Sequence, residues 1–386
     1  MRKSSLSTLI ASVLLAATAS SAASDPGSGH KDSGDPVVSG AVFSNPTVDN
    51  GDGVGQHIRR LVDQVSPGEQ IRVANFVISG DTGMDFTESL LGAHDRGVQV
   101  QVILDGWQID KPAAALLIDE LGTDKSAGSW VHVCGNLSPE GTTSSCIGTK
   151  GQHNKFYLFS KVGDKKNVIV QSSANFTDRN VLSYWNNAVT LVGNHRLYGA
   201  YNEYFSDMLK EEQDPDYHWS RSTGGPDGPV TVSFFPSVSD PVEDRLRELG
   251  CKQNGRSEIR IGMSEWDGAR AGIAQQLAQM QQQGCQVKVV HGPIDDEVRA
   301  IFDSSGIDHR ALSTNEMPGR IHSKYLIAKG LTGRQSGSQL VITGSHNFNH
   351  TSLHRNDETY LEIRNRDIYK EYEENFETMW NTAVTE

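Results

Sequence analysis

The chain repeats itself. Gly151-Gln152-His153-Asn154-Lys155 runs into the apolar stretch Phe156-Tyr157-Leu158-Phe159, and Gly319-Arg320-Ile321-His322-Ser323-Lys324 runs into Tyr325-Leu326-Ile327-Ala328. Apolar runs of this length, rich in aromatic and branched residues, predict buried strands. On a strand, residues i and i+2 share a face, so each His-x-Lys aims an imidazole and an ammonium at one point. A second strand and a small-residue turn ending in Asn follow each copy. These are Val168-Ile169-Val170-Gln171-Ser172-Ser173-Ala174-Asn175 and Leu340-Val341-Ile342-Thr343-Gly344-Ser345-His346-Asn347.

The doubling extends well beyond the motif. Val232-Ser233-Phe234-Phe235-Pro236 parallels Val42-Phe43-Ser44-Asn45-Pro46, and Ile259-Arg260-Ile261 parallels Ile71-Arg72-Val73. Gly284-Cys285-Gln286-Val287 parallels Gly97-Val98-Gln99-Val100, and Tyr372 to Met379 parallels Tyr201 to Met208. Within the first copy, strand patterns at Ile71 to Ile78 and Val98 to Leu104 alternate with helical patterns at Val54 to Val65, Asp85 to Arg96 and Ala113 to Leu121. Gly97 serves as a helix stop. Strands alternating with helices predict an α/β fold, each half a mixed or largely parallel sheet flanked by helices. Two similar halves are then related by a pseudo-two-fold axis, with both His-x-Lys pairs in one cleft. The expected boundaries are 41–213 for the first half, 214–229 for a linker rich in Pro, Gly and Asp, and 230–386 for the second half.

Residues 1–23 differ from the rest. Arg2 and Lys3 precede an apolar core from Leu9 to Ala17, and Ser21-Ala22-Ala23 is a small-residue cleavage pattern. This predicts a secretory signal peptide, too short and too weakly apolar to anchor in a membrane. A disordered leader, 24–40, is expected to follow. The chain is therefore expected outside the cell, soluble and monomeric, with no stable protein partner. Its four cysteines suit an oxidising compartment and two disulfides. Sequence alone allows three pairings; the local one joins Cys134 to Cys146 and Cys251 to Cys285. No C-x-x-C spacing supports a zinc site. The formal net charge of −13 disfavours a general binder of duplex nucleic acid, though it leaves room for a local basic pocket.

Two His, two Lys and two Asn at matched positions suit an anionic tetrahedral substrate. Lysines and amides can hold phosphate oxygens and stabilise charge that develops on them. One neutral imidazole can attack phosphorus, and the other, protonated, can supply the leaving oxygen with a proton. Such a two-step phosphodiester cleavage calls for no metal and no cofactor.

These residues resemble the phospholipase D superfamily, whose pattern is His-x-Lys-x4-Asp with a Gly/Ser-rich turn and Asn, present twice. The resemblance spans about Ala41 to Asn381 and implies two α/β halves with the site between them. It implies catalytic roles for His153, Lys155, Asn175, His322, Lys324 and Asn347. The pattern is broken at its Asp, which is Ser160 in one copy and Lys329 in the other; that position lies at the far end of the strand and is read as architectural. Family members also carry, eleven residues after the Asn, an acid that accepts a hydrogen bond from the catalytic His. Here Asn347 leads to Glu358, but Asn175 leads to Asn186. Because a carboxylate stabilises imidazolium, His322 is expected to be the proton donor and His153 the nucleophile. Ser173, Ser345 and Asn186 are expected at the substrate. His346 lies within the second turn, within reach of the site. Trp107, Trp185 and Trp266 are read as core packing rather than cleft lining.

The expected activity is hydrolysis of a phospholipid to phosphatidate and a free head group, with transfer of phosphatidyl to an alcohol as a variation. The substrate is a phospholipid or another phosphodiester, met at a membrane surface by peripheral contact. A nuclease on the same scaffold and a non-catalytic phosphate-binding module are the alternatives.

Overall fold

The two halves fold alike. The structure is a computed structural model, and it describes residues 36–48, 51–252, 256–314, 317–333 and 339–385. The expected signal peptide and residues 24–35 of the expected leader lie outside the described residues. From Val37 to Glu386 the chain forms one compact unit.

In the first half the sheet order is Gly40–Ser44, Tyr184–Val192, Lys165–Ser172, Lys155–Val162, Gln70–Asn75, Gln99–Leu104 and Trp130–Val133. The second sheet runs Trp219–Thr223, Val230–Phe235, Glu358–Ile363, Leu340–Gly344, Lys324–Lys329, Glu258–Met263, Gln286–His291 and Asp308–Ala311. Apart from the extra edge strand Trp219–Thr223, the two orders match strand for strand. Gln70–Asn75 pairs parallel with Gln99–Leu104, and Lys155–Val162 pairs antiparallel with Gln70–Asn75. The sheets are therefore mixed, as the alternation predicted.

Both faces of each motif strand are buried, which explains the continuous apolar runs. Phe156 and Leu158 face a central core, whereas Tyr157 and Phe159 face the outer core of the first half. Tyr325 and Ile327 face the same central core, and Leu326 and Ala328 the outer core of the second half. Helices His195–Met208 and Arg366–Thr382 touch strands of both sheets and fill the centre with aromatic rings. Tyr204 stacks on Phe234 at 4.1 Å, and Tyr325 meets Tyr372 edge-on at 4.9 Å. This shared aromatic core fixes one half against the other. On the outer face, Gly97 ends the helix Gly80–Asp95 at φ 90°, a conformation that strains any side-chain-bearing residue.

Two boundaries move. The expected leader is packed from Val37 onward: Val37 is in the outer core, and the Ser39 hydroxyl accepts the Val192 N–H at 2.9 Å. Its Gly and Ser content hid a strand that begins at Gly40. The expected linker also contains structure. Trp219–Thr223 extends the second sheet antiparallel to Val230–Phe235. Its own side chains are bulky and β-branched at alternate positions; the Pro, Gly and Asp on either side masked it.

Cys134 is bonded to Cys146 and Cys251 to Cys285, the local pairing, each within one half. Among the described residues no helix is long and apolar enough to cross a membrane. The Cys251–Cys285 bridge closes 34 residues, and loop-closure entropy assigns it roughly 4 kcal/mol. The double variant Cys251→Ser/Cys285→Ser is expected to lose about that much unfolding free energy in a denaturant titration.

Candidate active site

Each half completes the motif of the other. The lead-in Arg320–Ile321 pairs parallel with Tyr184–Trp185 of the first half, and the His322 N–H donates to the Trp185 carbonyl at 2.8 Å. In the same way Gln152 bridges to Asp357, and the His153 N–H donates to the Asp357 carbonyl at 3.0 Å. Both His-x-Lys pairs thus reach one site on the seam. Within each motif the middle residue turns inward: Asn154 donates to the Tyr204 hydroxyl at 2.9 Å and accepts from Thr359 at 2.7 Å. The His and Lys project to the other face, as their i, i+2 spacing requires.

The partners of the histidines are crosswise, which overturns one expectation. Glu358 accepts from His153 Nδ1 at 2.8 Å, not from His322. Asn186 Oδ1 accepts from His322 Nδ1 at 3.0 Å. The Asn186 amide is oriented by its other end, since Nδ2 donates to the Asn180 carbonyl at 2.8 Å and to the Tyr184 carbonyl at 3.2 Å. The oxygen therefore faces His322, so His322 carries its hydrogen on Nδ1. Both rings then keep Nε2 for a ligand. The eleven-residue spacing identified the right acceptors; the seam reassigned them to opposite halves.

Ser173 and Ser345 sit behind these acceptors rather than at the substrate. Ser173 donates to Asn186 Oδ1 at 3.0 Å, and Ser345 donates to Glu358 Oε2. Ser173, Ser345 and Glu358 are fully buried and Asn186 nearly so; all four position the rings. The expectation that Ser173, Ser345 and Asn186 contact substrate is corrected accordingly. Asn175 and Asn347 behave differently. The Asn347 N–H is held by the Ser352 hydroxyl at 3.1 Å, and the Asn175 N–H by Asn180 Oδ1 at 2.9 Å. Yet among the described residues neither side-chain Oδ1 has a partner. A polar ligand at the site would satisfy them.

The site is electrostatically short of anions. Burial pulls the Lys155 ammonium well below its usual range, Glu358 opposes this, and Lys324 adds to it. Burial likewise brings Lys324 down to about 7. His322 is held well below an ordinary histidine by burial and then by Lys324, Lys155 and His153. Burial also lowers His153, with Glu358 partly offsetting it. Burial would raise the Glu358 carboxyl, but His153 and Lys155 outweigh this and hold it at about 2. Glu358 acts on both lysines and on His153, Glu265 adds to it at Lys324 and Asp105 at Lys155, and all four cationic side chains still stay below their ordinary values. A phosphate group would relieve that imbalance.

A cavity of about 250 Å³ opens beside His153, lined by Phe76, Thr143, Lys150, Glu265, Asn347 and Asn356 among others. Several of these were not anticipated. Phe76 meets the His153 ring at 5.0 Å and lies 5.1 Å from Lys155 Nζ. Trp107 stands 42% exposed against Phe76, so it belongs to the cleft rim and not to the core. Trp185 and Trp266 are buried, as read. The sequence signal was positional: Phe76 follows the C-terminal end of Gln70–Asn75, the neighbour of the motif strand, and Trp107 follows that of Gln99–Leu104, one strand further out. Asp357 was also missed as an individual residue. It accepts from Cys146 and Gly148 N–H at 2.7 and 2.6 Å and so ties the disulfide loop to the site.

His346 does not reach the cleft; it is buried against Phe235 and Tyr360. The broken Asp positions are architectural, as read. Ser160 accepts from the Gln70 N–H at 2.8 Å and donates to Glu69 at 2.6 Å, and Lys329 pairs with Glu373 at 2.8 Å and Glu258 at 3.1 Å. Cys134 and Cys146 lie near His132, Glu211 and Asp357, but both sulfurs are committed to their disulfide and offer no thiolate.

Comparison with known proteins agrees with this geometry. The family model described as cardiolipin synthase, PLD-like domain, matches residues 61–209 and again 252–380. No curated protein matches the sequence significantly. The phosphatidylserine synthase structure from Haemophilus influenzae superposes with a TM-score of 0.61 at 10% identity, covering 89% of this chain and 86% of that one. The polyphosphate kinase from Porphyromonas gingivalis superposes with a TM-score of 0.56 at 13% identity, covering 89% of this chain. This chain spans only 50% of that kinase. At these identities the two structures show a shared fold. Nuc from Salmonella typhimurium, a phospholipase D family member, matches 40% of this chain at 22% identity with a TM-score of 0.31.

An anion that settles between Lys155, Lys324 and the two histidines must raise their pKa values. Groups depressed to about 7 or below in the free protein then take up protons on binding. Calorimetric titration with inorganic phosphate near pH 7.5, in buffers of different ionisation enthalpy, is expected to show net proton uptake. Lys324→Met is expected to reduce it.

Proposed function

Because the chain belongs to the phospholipase D-like family, we propose that it is a secreted phosphodiesterase that cleaves phospholipids through a phospho-histidine. The observation that carries this reading is the pair of imidazoles on the seam. Each has its Nδ1 held by an acceptor from the opposite half and its Nε2 left for phosphorus or a proton.

The roles follow from the partners. During attack, His153 Nε2 forms a bond to phosphorus and its ring becomes positive. The Glu358 carboxylate on Nδ1 stabilises that charge. The bond from phosphorus to the leaving oxygen breaks, and His322 Nε2 gives that oxygen a proton. His322 faces an amide, not a carboxylate, so its imidazolium releases the proton readily. Water then attacks phosphorus, His322 takes its proton, and the phosphorus–His153 bond breaks. An alcohol in place of water gives the transphosphatidylated product. Lys155, Lys324 and the amides of Asn175 and Asn347 hold the non-bridging oxygens throughout. The proposed nucleophile and donor match those expected from sequence, but on a reversed ground: the carboxylate serves the proposed nucleophile.

Phospholipid is favoured over nucleic acid by the acidic balance of the chain and by its two fused halves. Export is supported by the pattern at residues 1–23 and by the two disulfides. The deciding assay incubates the protein with phosphatidylcholine and with plasmid DNA in chelator, beside His153→Ala. Choline release that the variant loses supports the proposal; DNA nicking without choline release replaces it with a nuclease.

Changing the partners is expected to move the pH profile in opposite directions. Asn186→Asp places a carboxylate on His322, raises its pKa and shifts the alkaline limb of kcat/KM upward. Glu358→Gln removes the group that raises His153. It is expected to shift the acid limb downward and to cut kcat/KM by about 100-fold or more.

A further inference from the structure

Resting on the phospholipid reading above, we propose that the rim of the cleft docks onto the surface of a phospholipid aggregate through two apolar lips. On the His153 side stand Trp107 and Leu137, 42% and 66% exposed. The strand Asn136–Leu137 pairs with Ser144–Ser145, and the Ser144 hydroxyl accepts the Gly106 N–H at 2.7 Å, so the two side chains share one rigid loop assembly. The same assembly supplies Thr143 and Lys150 to the cavity wall. On the His322 side stand Leu182 and Met317, 52% and 64% exposed. Gly319, at φ 88°, packs so closely on the Ser183 carbonyl that a Cβ would come within 2.5 Å of it, so the segment that carries Met317 meets the end of the helix that carries Leu182. Tyr184, two residues after Leu182, faces the His322 ring, and Arg320, three residues after Met317, lies over Tyr184.

The occupant is argued from form and charge. These side chains come from four short segments: the turn after Gln99–Leu104, the strand Asn136–Leu137, the helix Asp178–Ser183 and the turn before Arg320–Ile321. A protein partner would call for a contiguous apolar centre with a polar rim. Single Trp, Leu and Met side chains instead suit insertion among head groups and the first methylenes of acyl chains. Between the lips lie His153, Lys150 and the amides of Asn347, Asn349 and Asn356, with Glu265 paired to Arg320, a polar floor for a lipid phosphate, while the chain as a whole is at −13. Net charge therefore does not draw the body onto an anionic surface, and the apolar lips supply the attachment. Docked in this way, the cleft mouth lies at the head-group plane. A phosphodiester reaches the histidines without its lipid leaving the aggregate.

The test uses the full protein and two measurements. Binding is read by co-sedimentation with phosphatidylcholine vesicles at high salt, in a His153→Ala background so that the lipid stays intact. Turnover is read with bis-p-nitrophenyl phosphate, a soluble monomeric diester, in the otherwise unaltered protein. Adding Leu137→Ser, Leu182→Ser and Met317→Ser is expected to weaken vesicle partition roughly 100-fold. The same three changes are expected to leave diester turnover within about two-fold. Partition unchanged by the three substitutions would overturn the proposal. So would a parent protein that cleaves dispersed short-chain phosphatidylcholine but does not sediment with vesicles, or a dimer that only the unaltered lips can form. A parent that sediments with vesicles yet cleaves no phospholipid leaves docking standing and removes the substrate reading instead.

Discussion

Two hydrogen bonds across the seam organise this molecule: His153 to Glu358 and His322 to Asn186. Neither half contains a complete histidine environment. Each imidazole comes from one copy of the repeat and its Nδ1 acceptor from the other. The backbone follows the same rule, since each motif lead-in is bonded to the strand of the opposite copy. The aromatic core between the sheets, the paired helices His195–Met208 and Arg366–Thr382, and the Asp357 clamp on the disulfide loop all hold those two contacts in register.

Crosswise assembly gives an inherited symmetry a chemical direction. The two copies supply the same residue types at nearly every site position, and a symmetric site would leave nucleophile and donor undefined. The difference between Glu358 and Asn186 breaks the tie. Under the proposed mechanism the ring that becomes positive sits on the carboxylate, and the ring that loses a proton sits on the amide. The surrounding ammonium groups, depressed by burial, with Lys324 acting on Lys155 and Arg320 on Lys324, would gain charge on binding a phosphate. Binding and protonation are thereby coupled.

Much of the fold was legible because it is written twice. The strands Gln70–Asn75, Gln99–Leu104 and Lys155–Val162 each matched an alternating or continuous apolar run, and each had a second copy to check it against. What stayed hidden depended on neighbours in space. Trp219–Thr223 reads as linker until Val230–Phe235 offers it hydrogen bonds. Val37 reads as leader until a hydrophobic core receives it. In the site, the histidines, lysines and asparagines could be named from sequence, but the partner of each ring could not. Spacing along one chain segment assigns Glu358 to His322. Only the packing of one half on the other moves it to His153. Ser173 and Ser345 are a similar case, because a hydroxyl near a catalytic residue does not reveal whether it faces the substrate or the residue behind it.

If the carboxylate marks the nucleophile, quenching the protein with a non-acidic denaturant during turnover of a slow phosphodiester should trap the phosphoester on one ring, which mass spectrometry of its peptides then locates. The adduct is expected on His153, with none on His322. An adduct on His322 would mean that the carboxylate does not mark the nucleophile.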